Sequence, residues 1–216
     1  MVGHYTAVDG FFRLGPKARR VIPTLFSMLK SSDPDIRLSA VRVLGRVGAD
    51  VKGVRSALLK AVHDTDHGVC SAVLGIFEQI GPKAQIVIPA AMKSLKNKTY
   101  AVRAQAAKTL GSIGPKAKVA IPVLYNALSD RFYSVRLSAA VALVRIGKIS
   151  KGIERIVVSG LHSHNSWIRL NVVKKLGEMT IKSKAIITVL RKKLYDNNAE
   201  VRKAAAVSLK QLGFSK

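Results

Sequence analysis

The sequence predicts an all-α fold, a right-handed α-solenoid of about six and a half repeats, each with two helices in 33 residues. Glycine recurs at this spacing, and the one place where it is missing holds Thr180: Gly15, Gly48, Gly81, Gly114, Gly147 and Gly213. No insertion interrupts the series. A unit of fixed length that recurs so often cannot bury its apolar face alone, so it must stack on its neighbours.

Each repeat contains two stretches with the apolar spacing of an amphipathic helix. In the fourth repeat the first stretch is apolar at positions 120, 121, 124 and 128, and the second at 135, 139, 143 and 146. Both series keep one helical face apolar. Asp130 stands between them, where its short side chain can accept N–H groups of a turn. Gly-Pro at 15–16, 81–82 and 114–115 is predicted to end one repeat and to supply the N-terminal proline of the next helix.

We expect a single repeat domain over residues 1–216. It consists of a half repeat and six full repeats: 1–14, then 15–47, 48–80, 81–113, 114–146, 147–179 and 180–216. Apolar residues make up 48% of the chain, which is enough for a buried core. Neither end shows a polar capping repeat, which fits either a piece of a longer array or ends that meet a partner.

The composition also bears on where the protein works. Cys70 is the single cysteine, which excludes an intrachain disulfide and a cysteine-rich zinc site and fits a reducing compartment. No apolar run reaches membrane-spanning length, and the first ten residues lack the layout of a secretory signal. We expect a soluble protein of the cytoplasm.

The net charge of +25 is the strongest bulk indication of function. Such an excess attracts polyanions through long-range fields. It is spread along the chain, because the six full repeats carry +5, −1, +6, +4, +4 and +7. The second repeat is the exception.

Two short motifs recur in addition to the glycines. Ile-Pro opens the first helix at 22–23, 88–89 and 121–122, and an apolar residue followed by arginine opens the second at 36–37, 102–103, 135–136, 168–169 and 201–202. In these motifs the units resemble the short HEAT-like repeats of the phycobilin-lyase type, over residues 1–216. The resemblance implies a superhelix with a ladder of Arg and Asp inside it and with second helices on its concave surface. Such repeats serve scaffolds, enzymes and nucleic-acid binders, so function has to be argued from this chain's residues.

The motif arginines fall inside the apolar arc of the second helix. Because a largely buried charge needs a partner, we expect them to pair with turn aspartates or with carbonyls of the adjacent repeat. We call them the arginine ladder: Arg37, Arg103, Arg136, Arg169 and Arg202. Cys70 takes the equivalent place in the second repeat, so the ladder should be interrupted there.

Two other sets of residues are candidates for binding. The polar arc of the second helices carries the basic strip, which includes one tryptophan: Arg42, Arg46, Lys108, Arg145, Trp167 and Lys174. The turns between repeats carry the lysine edge: Lys17, Arg19, Lys52, Lys83, Lys116, Lys118, Lys151, Lys182 and Lys184. Helix N-termini are predicted to open at the lysine edge and to add positive potential, so it could follow a phosphate backbone. A solvated face and ordinary turn chemistry are the alternatives.

Aromatic residues precede the second helix in three successive repeats, at Tyr100, at 132–133 and at Trp167. Beside Lys98 and Arg131 they could stack bases or hold a peptide. An apolar residue at this place often only packs on the first helical turn. We favour packing for all but Trp167, which falls on the polar arc.

The sequence contains no recognisable catalytic constellation. Its five histidines show no metal-ligand spacing, so no metal, cofactor or small-molecule substrate is predicted. HEAT-like DNA glycosylases and bilin lyases share the repeat type, and an enzyme of either kind is the outside alternative. We predict a non-enzymatic binding module with an anionic partner, nucleic acid first and an acidic protein as the alternative.

Overall fold

The computed structural model of the chain describes residues 20–48, 51, 53–179 and 183–214, and every regular element in these ranges is a helix. We number the α-helices in chain order, so that odd numbers are first helices of the repeats and even numbers are second helices. They are α1 (Ile22–Met28), α2 (Pro34–Val47), α3 (Val54–Ala61), α4 (His67–Ile80), α5 (Ile88–Ser94), α6 (Tyr100–Ile113), α7 (Ile121–Ala127), α8 (Tyr133–Ile146), α9 (Lys151–Leu161), α10 (Ser166–Met179), α11 (Lys184–Lys192) and α12 (Ala199–Gln211). The predicted all-α repeat fold is confirmed.

The second helices keep the repeat spacing, each beginning 33 residues after the one before it. Short polar side chains start several of them. Asp33 accepts the N–H of Asp35 at 2.8 Å, and Asp66 accepts that of Val69 at 2.9 Å. These bonds satisfy N–H groups that the first turn of a helix leaves without partners.

The first helices start in three different ways, and α3 follows Gly53 in the left-handed conformation without a side-chain cap. Helices α1, α5 and α7 have a proline in the first turn, from the Ile-Pro motif. Helices α9 and α11 start three residues earlier relative to the repeat, where Ser150 and Ser183 cap them. The expectation that Gly-Pro supplies the N-terminal proline of the next helix was wrong in the third and fourth repeats, whereas Pro16 lies outside the described residues. Pro82 and Pro115 lie instead in the 3₁₀ segments Gly81–Lys83 and Gly114–Ala120, because the ring's fixed φ suits that tighter turn as well.

Glycine at the joint between repeats has a conformational reason. The described joint glycines all have positive φ, from 63° to 106°: Gly48, Gly81, Gly114, Gly147 and Gly213. A Cβ disfavours this region, so glycine ends the second helix without strain. Gly15 and Thr180 lie outside the described residues.

Contacts divide the chain into two compact units, with the boundary between Ile113 and Gly114, which is also a predicted repeat boundary. In the first unit α2, α4 and α6 pack side by side in that order, as α8, α10 and α12 do in the second. Equivalent large side chains of these helices form the core: Leu44, Phe77, Leu110, Leu143, Leu176 and Leu209. Burial of each contributes roughly 1.5–3 kcal/mol. The single domain over residues 1–216 stays a prediction.

Hydrogen bonds between second helices reinforce this packing at one repeat position. Buried Thr109 donates its hydroxyl to the Leu74 carbonyl at 2.8 Å, and its equivalent Ser208 donates to the Val173 carbonyl at 2.7 Å. A small residue with a hydroxyl group at this repeat position thus joins α6 to α4 and α12 to α10.

Thr109→Val should weaken the first unit while keeping the side-chain volume. We expect the free energy of unfolding to fall by about 1 kcal/mol, the net contribution of one such hydrogen bond. Urea denaturation measures the change. The control is Ser112→Ala, because the Ser112 hydroxyl donates only within its own helix, to the Thr109 carbonyl. An equal loss in both variants would contradict a role for the bond between helices.

Candidate partner-binding surface

One residue in each described turn between a first and a second helix accepts the N–H two positions later, at 2.8–3.2 Å. We call these residues the turn acceptors: Ser31, Asp64, Asn97, Asp130, Ser163 and Asp196. The turn role predicted for the aspartates is confirmed. Serine and asparagine fulfil it equally well, because it needs only one acceptor oxygen.

Asp64 and Asp196 also bind the arginine ladder. Arg37 Nε lies 2.8 Å from Asp64 Oδ2 and its Nη2 lies 2.8 Å from Oδ1, and Nη1 donates to the carbonyls of Ser31 and Ser32. This bond and the nearby carboxylate charge raise the pKa of Arg37. Burial pushes the pKa of Asp64 upward, but its bonds to Arg37 and to the Asp66 N–H outweigh burial, so it is lowered.

The equivalent pair in the second unit is more deeply buried. Arg169 binds Asp196 through Nε at 2.8 Å and Nη2 at 2.7 Å, and their side chains are 8% and 4% exposed. Lys193 Nζ adds a contact at 3.2 Å. The Arg169 bond is the main reason that the pKa of Asp196 falls to about 2.

The carbonyls that bind the ladder belong to each arginine's own repeat, not to the adjacent repeat as the sequence suggested. Nη1 of Arg103, Arg136 and Arg202 donates to two successive carbonyls of the preceding turn, at 2.7–3.2 Å. The reason is geometric. These carbonyls lie five and six residues before each arginine, in the turn that leads into its own second helix, so the side chain reaches them within its own repeat. The aspartate, by contrast, comes from the following repeat.

The ladder is interrupted at Cys70, as predicted. The thiol points at the Asp64 carbonyl at 2.9 Å, the place that a guanidinium nitrogen takes elsewhere, and burial raises its pKa to about 11. The turn acceptor of the following repeat is Asn97. Where the cation is missing, the carboxylate is missing as well, and no buried charge is left without a partner.

The basic strip lies on exposed parts of the second helices. In the first unit Arg42 and Arg46 of α2 and Lys108 of α6 are exposed. In the second unit Lys174 is exposed and Arg145 is half-buried. The indole of Trp167 is 62% exposed, as its place on the polar arc predicted.

Helix α10 presents an aromatic ring, an amide and a cation in one line. Trp167, Asn171 and Lys174 are spaced by four and three residues, so they share a helical face. Asn171 Nδ2 donates to the Trp167 carbonyl at 2.7 Å, and no described group donates to its Oδ1. Sequence reasoning missed Asn171, although its spacing from Trp167 and Lys174 could have revealed it.

The lysine edge is described at five of its nine members, all exposed: Lys83, Lys116, Lys118, Lys151 and Lys184. Lys17, Arg19, Lys52 and Lys182 lie outside the described residues. Helices α9 and α11 begin at Lys151 and Lys184, as expected. In the third and fourth repeats the lysines lie in 3₁₀ segments ahead of α5 and α7. Those two helix N-termini therefore do not coincide with lysines.

Tyr133 has the packing role that we favoured from the sequence. Its hydroxyl donates to the Ile156 carbonyl at 2.9 Å, burial raises its pKa, and its ring lies against Gly160 of α9. The guanidinium of Arg131 stacks over Phe132 at 4.7 Å from the ring centre. Tyr100 remains 45% exposed.

The described residues hold no group of three or more His, Cys, Asp or Glu side chains placed to bind a metal ion. No helix among them is both long and apolar enough to span a bilayer.

Comparison with known proteins identifies the repeat. The HEAT repeats family model matches residues 5–76 and 88–157, which is more than half of the chain, so this protein belongs to the HEAT repeat family. It is a HEAT-repeat scaffold of the kind that serves as a binding module. No curated protein sequence matches the chain significantly.

Several solved structures share its fold. The complex of CpcE and CpcF of phycocyanin lyase from Nostoc sp. PCC7120 matches with a TM-score of 0.61 and 18% identity, over 98% of this chain and 91% of that one. A designed armadillo repeat protein in complex with the peptide (KR)4 matches with a TM-score of 0.56 and 17% identity, over 88% and 99% of the two chains. An engineered protein matches at 0.56 and 23%, over 89% and 96%. At these identities the likeness concerns the fold alone.

Proposed function

We propose that this protein is a non-enzymatic scaffold that binds an acidic segment of a partner protein on the exposed faces of its second helices. The observation that carries the proposal is the line of Trp167, Asn171 and Lys174 on α10. An exposed tryptophan offers a large apolar anchor, an amide oxygen accepts a backbone N–H, and a lysine attracts a carboxylate. Together they match an extended acidic peptide.

Charge complementarity indicates the sign of the partner's charge. The designed armadillo neighbour is in complex with a peptide of alternating lysine and arginine. This chain carries a net charge of +25, so the complementary peptide is acidic. The CpcE–CpcF neighbour is itself a complex of two proteins, which supports a protein partner for a fold of this kind.

Nucleic acid is the second candidate, favoured by the same net charge. A phosphate backbone requires cations at short, regular intervals. On the second helices the place of Lys174 is held by Gly75, Val141 and Val207 in three other repeats, which leaves apolar gaps between cations. These gaps suit peptide side chains better than a phosphate backbone, so we place the acidic protein first.

Fluorescence anisotropy with labelled peptides and an oligonucleotide tests the class of partner. The probes are (DE)4, (KR)4 and a thymidine 12-mer, titrated at three salt concentrations. We expect (DE)4 to bind and (KR)4 not to bind. For (DE)4 the affinity should fall less steeply with salt than the roughly thousandfold loss, between about 50 and 200 mM, of a protein with several phosphate contacts. Tight oligonucleotide binding without (DE)4 binding would overturn the proposal in favour of nucleic acid.

A further inference from the structure

Within the described residues, the arginine ladder contains a break that nothing compensates. A step of 27 residues leads from Arg37 to Asp64 and from Arg169 to Asp196, and both pairs are bidentate. The same step leads from Arg136 to Ser163. Ser163 accepts the Asn165 N–H at 3.2 Å as a turn acceptor, but it has no second oxygen to offer to an arginine.

Arg136 keeps the conformation of a paired ladder arginine. Its Nη1 donates to the carbonyls of Asp130 and Arg131 at 2.7 and 3.0 Å, as Nη1 of Arg169 does to Ser163 and His164. In Arg169 the Nε and Nη2 donors then hold Asp196. Within the described residues no acceptor contacts these two donors of Arg136, and Tyr133 lies under its guanidinium at 5.2 Å.

The break at Cys70 shows what a compensated gap looks like. There the cation and the carboxylate are both replaced, by Cys70 and Asn97. At Arg136 only the carboxylate is replaced, so a half-buried guanidinium keeps two donors, Nε and Nη2, that Arg169 uses to bind an acid. A half-buried guanidinium gains more binding free energy from a bidentate carboxylate than an exposed lysine does.

We propose that the Nε and Nη2 donors of Arg136 are a binding site for a carboxylate side chain of the acidic partner, which completes the ladder in the way that Asp196 does for Arg169. This inference rests on the proposed function and adds a specific site to it. The surroundings favour an anion, because Arg131 is exposed in the same turn.

Ser163→Asp tests the site, because the new carboxylate would occupy it from within the chain. We expect this variant to raise the melting temperature by a few degrees and to weaken (DE)4 binding about tenfold, the loss of one good charge-assisted contact. The matched control is Ser129→Asp. It adds the same charge to an exposed residue of a neighbouring turn, outside the 27-residue step, and should weaken binding less than threefold without a gain in melting temperature.

A nuclear magnetic resonance titration observes Arg136 directly. Its Nε–Hε signal, assigned by its loss in Arg136→Lys, should shift when (DE)4 is added to the wild-type protein and should not respond in Ser163→Asp. Binding of (DE)4 with an unmoved Arg136 signal, or equal weakening by Ser163→Asp and Ser129→Asp, would overturn the site and leave the proposed function standing. Absence of (DE)4 binding to the wild-type protein would overturn both.

Discussion

Replacing Asp196 with alanine is expected to lower the free energy of unfolding by about 3–5 kcal/mol, because it leaves the buried guanidinium of Arg169 without its carboxylate. Asp196 has several partners. It binds Arg169 through two bonds at 2.7 and 2.8 Å, contacts Lys193 at 3.2 Å and accepts the Asn198 N–H at 3.1 Å. Its removal thus affects an ion pair and a turn together.

Urea denaturation measures this loss against an exposed ion pair of the same unit. Lys203 and Glu200 lie 3.3 Å apart with side chains 76% and 65% exposed. Glu200→Ala should change the free energy of unfolding by less than about 0.5 kcal/mol, because water screens such a pair. Similar losses from Asp196→Ala and Glu200→Ala would contradict a structural role for the ladder.

The low pKa of Asp196 also makes part of the stability dependent on pH. The folded-state pKa of about 2 lies below the roughly 3.9 of an unfolded aspartate. The stabilisation is therefore complete above about pH 4 and is lost as the pH falls from about 4 towards 2. In Asp196→Asn, compared with the wild-type protein, acid titration of the unfolding free energy should show a smaller drop over this window. If the unfolding free energy falls equally in both proteins, groups other than Asp196 cause the fall.

Gly160→Val is expected to destabilise the second unit by about 3 kcal/mol or more, through overpacking. A Cβ at this position would overlap the Tyr133 hydroxyl and would lie 2.6 Å from Val172 Cγ2. The side chain would also displace Tyr133 from its bond to the Ile156 carbonyl. Three elements meet at this glycine, so the strain cannot be relieved by moving a single flexible side chain.

Gly152→Ala is the control on the same helix, α9. A Cβ there meets nothing nearer than Ser150 Oγ at 3.7 Å, and the replacement should be stabilising by about 0.5 kcal/mol, from the higher helix propensity of alanine. Thermal unfolding of both variants separates the effects. A stable Gly160→Val protein would contradict the close approach of Tyr133 to α9.

The repeat fold was predictable because its causes are local and recur. A 33-residue spacing, a helical apolar pattern and a glycine at each joint predict the second helices closely, and Leu44 and its five equivalents are buried as that pattern requires. The serine caps of α9 and α11 were not predicted. Ser150 and Ser183 cap them at places where other repeats have alanine or valine, and a change of cap is visible only when repeats are compared position by position.

The residue types of the candidate site were predictable from the sequence, but the residues that bond to them were not. The buried arc of the second helix predicts that Arg169 needs an acceptor, yet only the structure shows that the acceptor is Asp196 of the following repeat. The Cys70 interruption was visible in the sequence, whereas its match with Asn97 depends on the 27-residue step. Trp167 was recognised from its place on the polar arc, and Asn171 was missed because one amide carries no signal apart from its neighbours.

The most direct test of the central claim asks which cations hold the acidic segment. Lys174→Glu reverses one exposed charge of the basic strip and Lys151→Glu reverses one of the lysine edge, both in the second unit, so both variants have the same net charge. Anisotropy with (DE)4 should show a loss of about tenfold or more for the first variant and less than about threefold for the second, since only direct contacts exceed the general charge effect. The opposite order would contradict binding on the second helices.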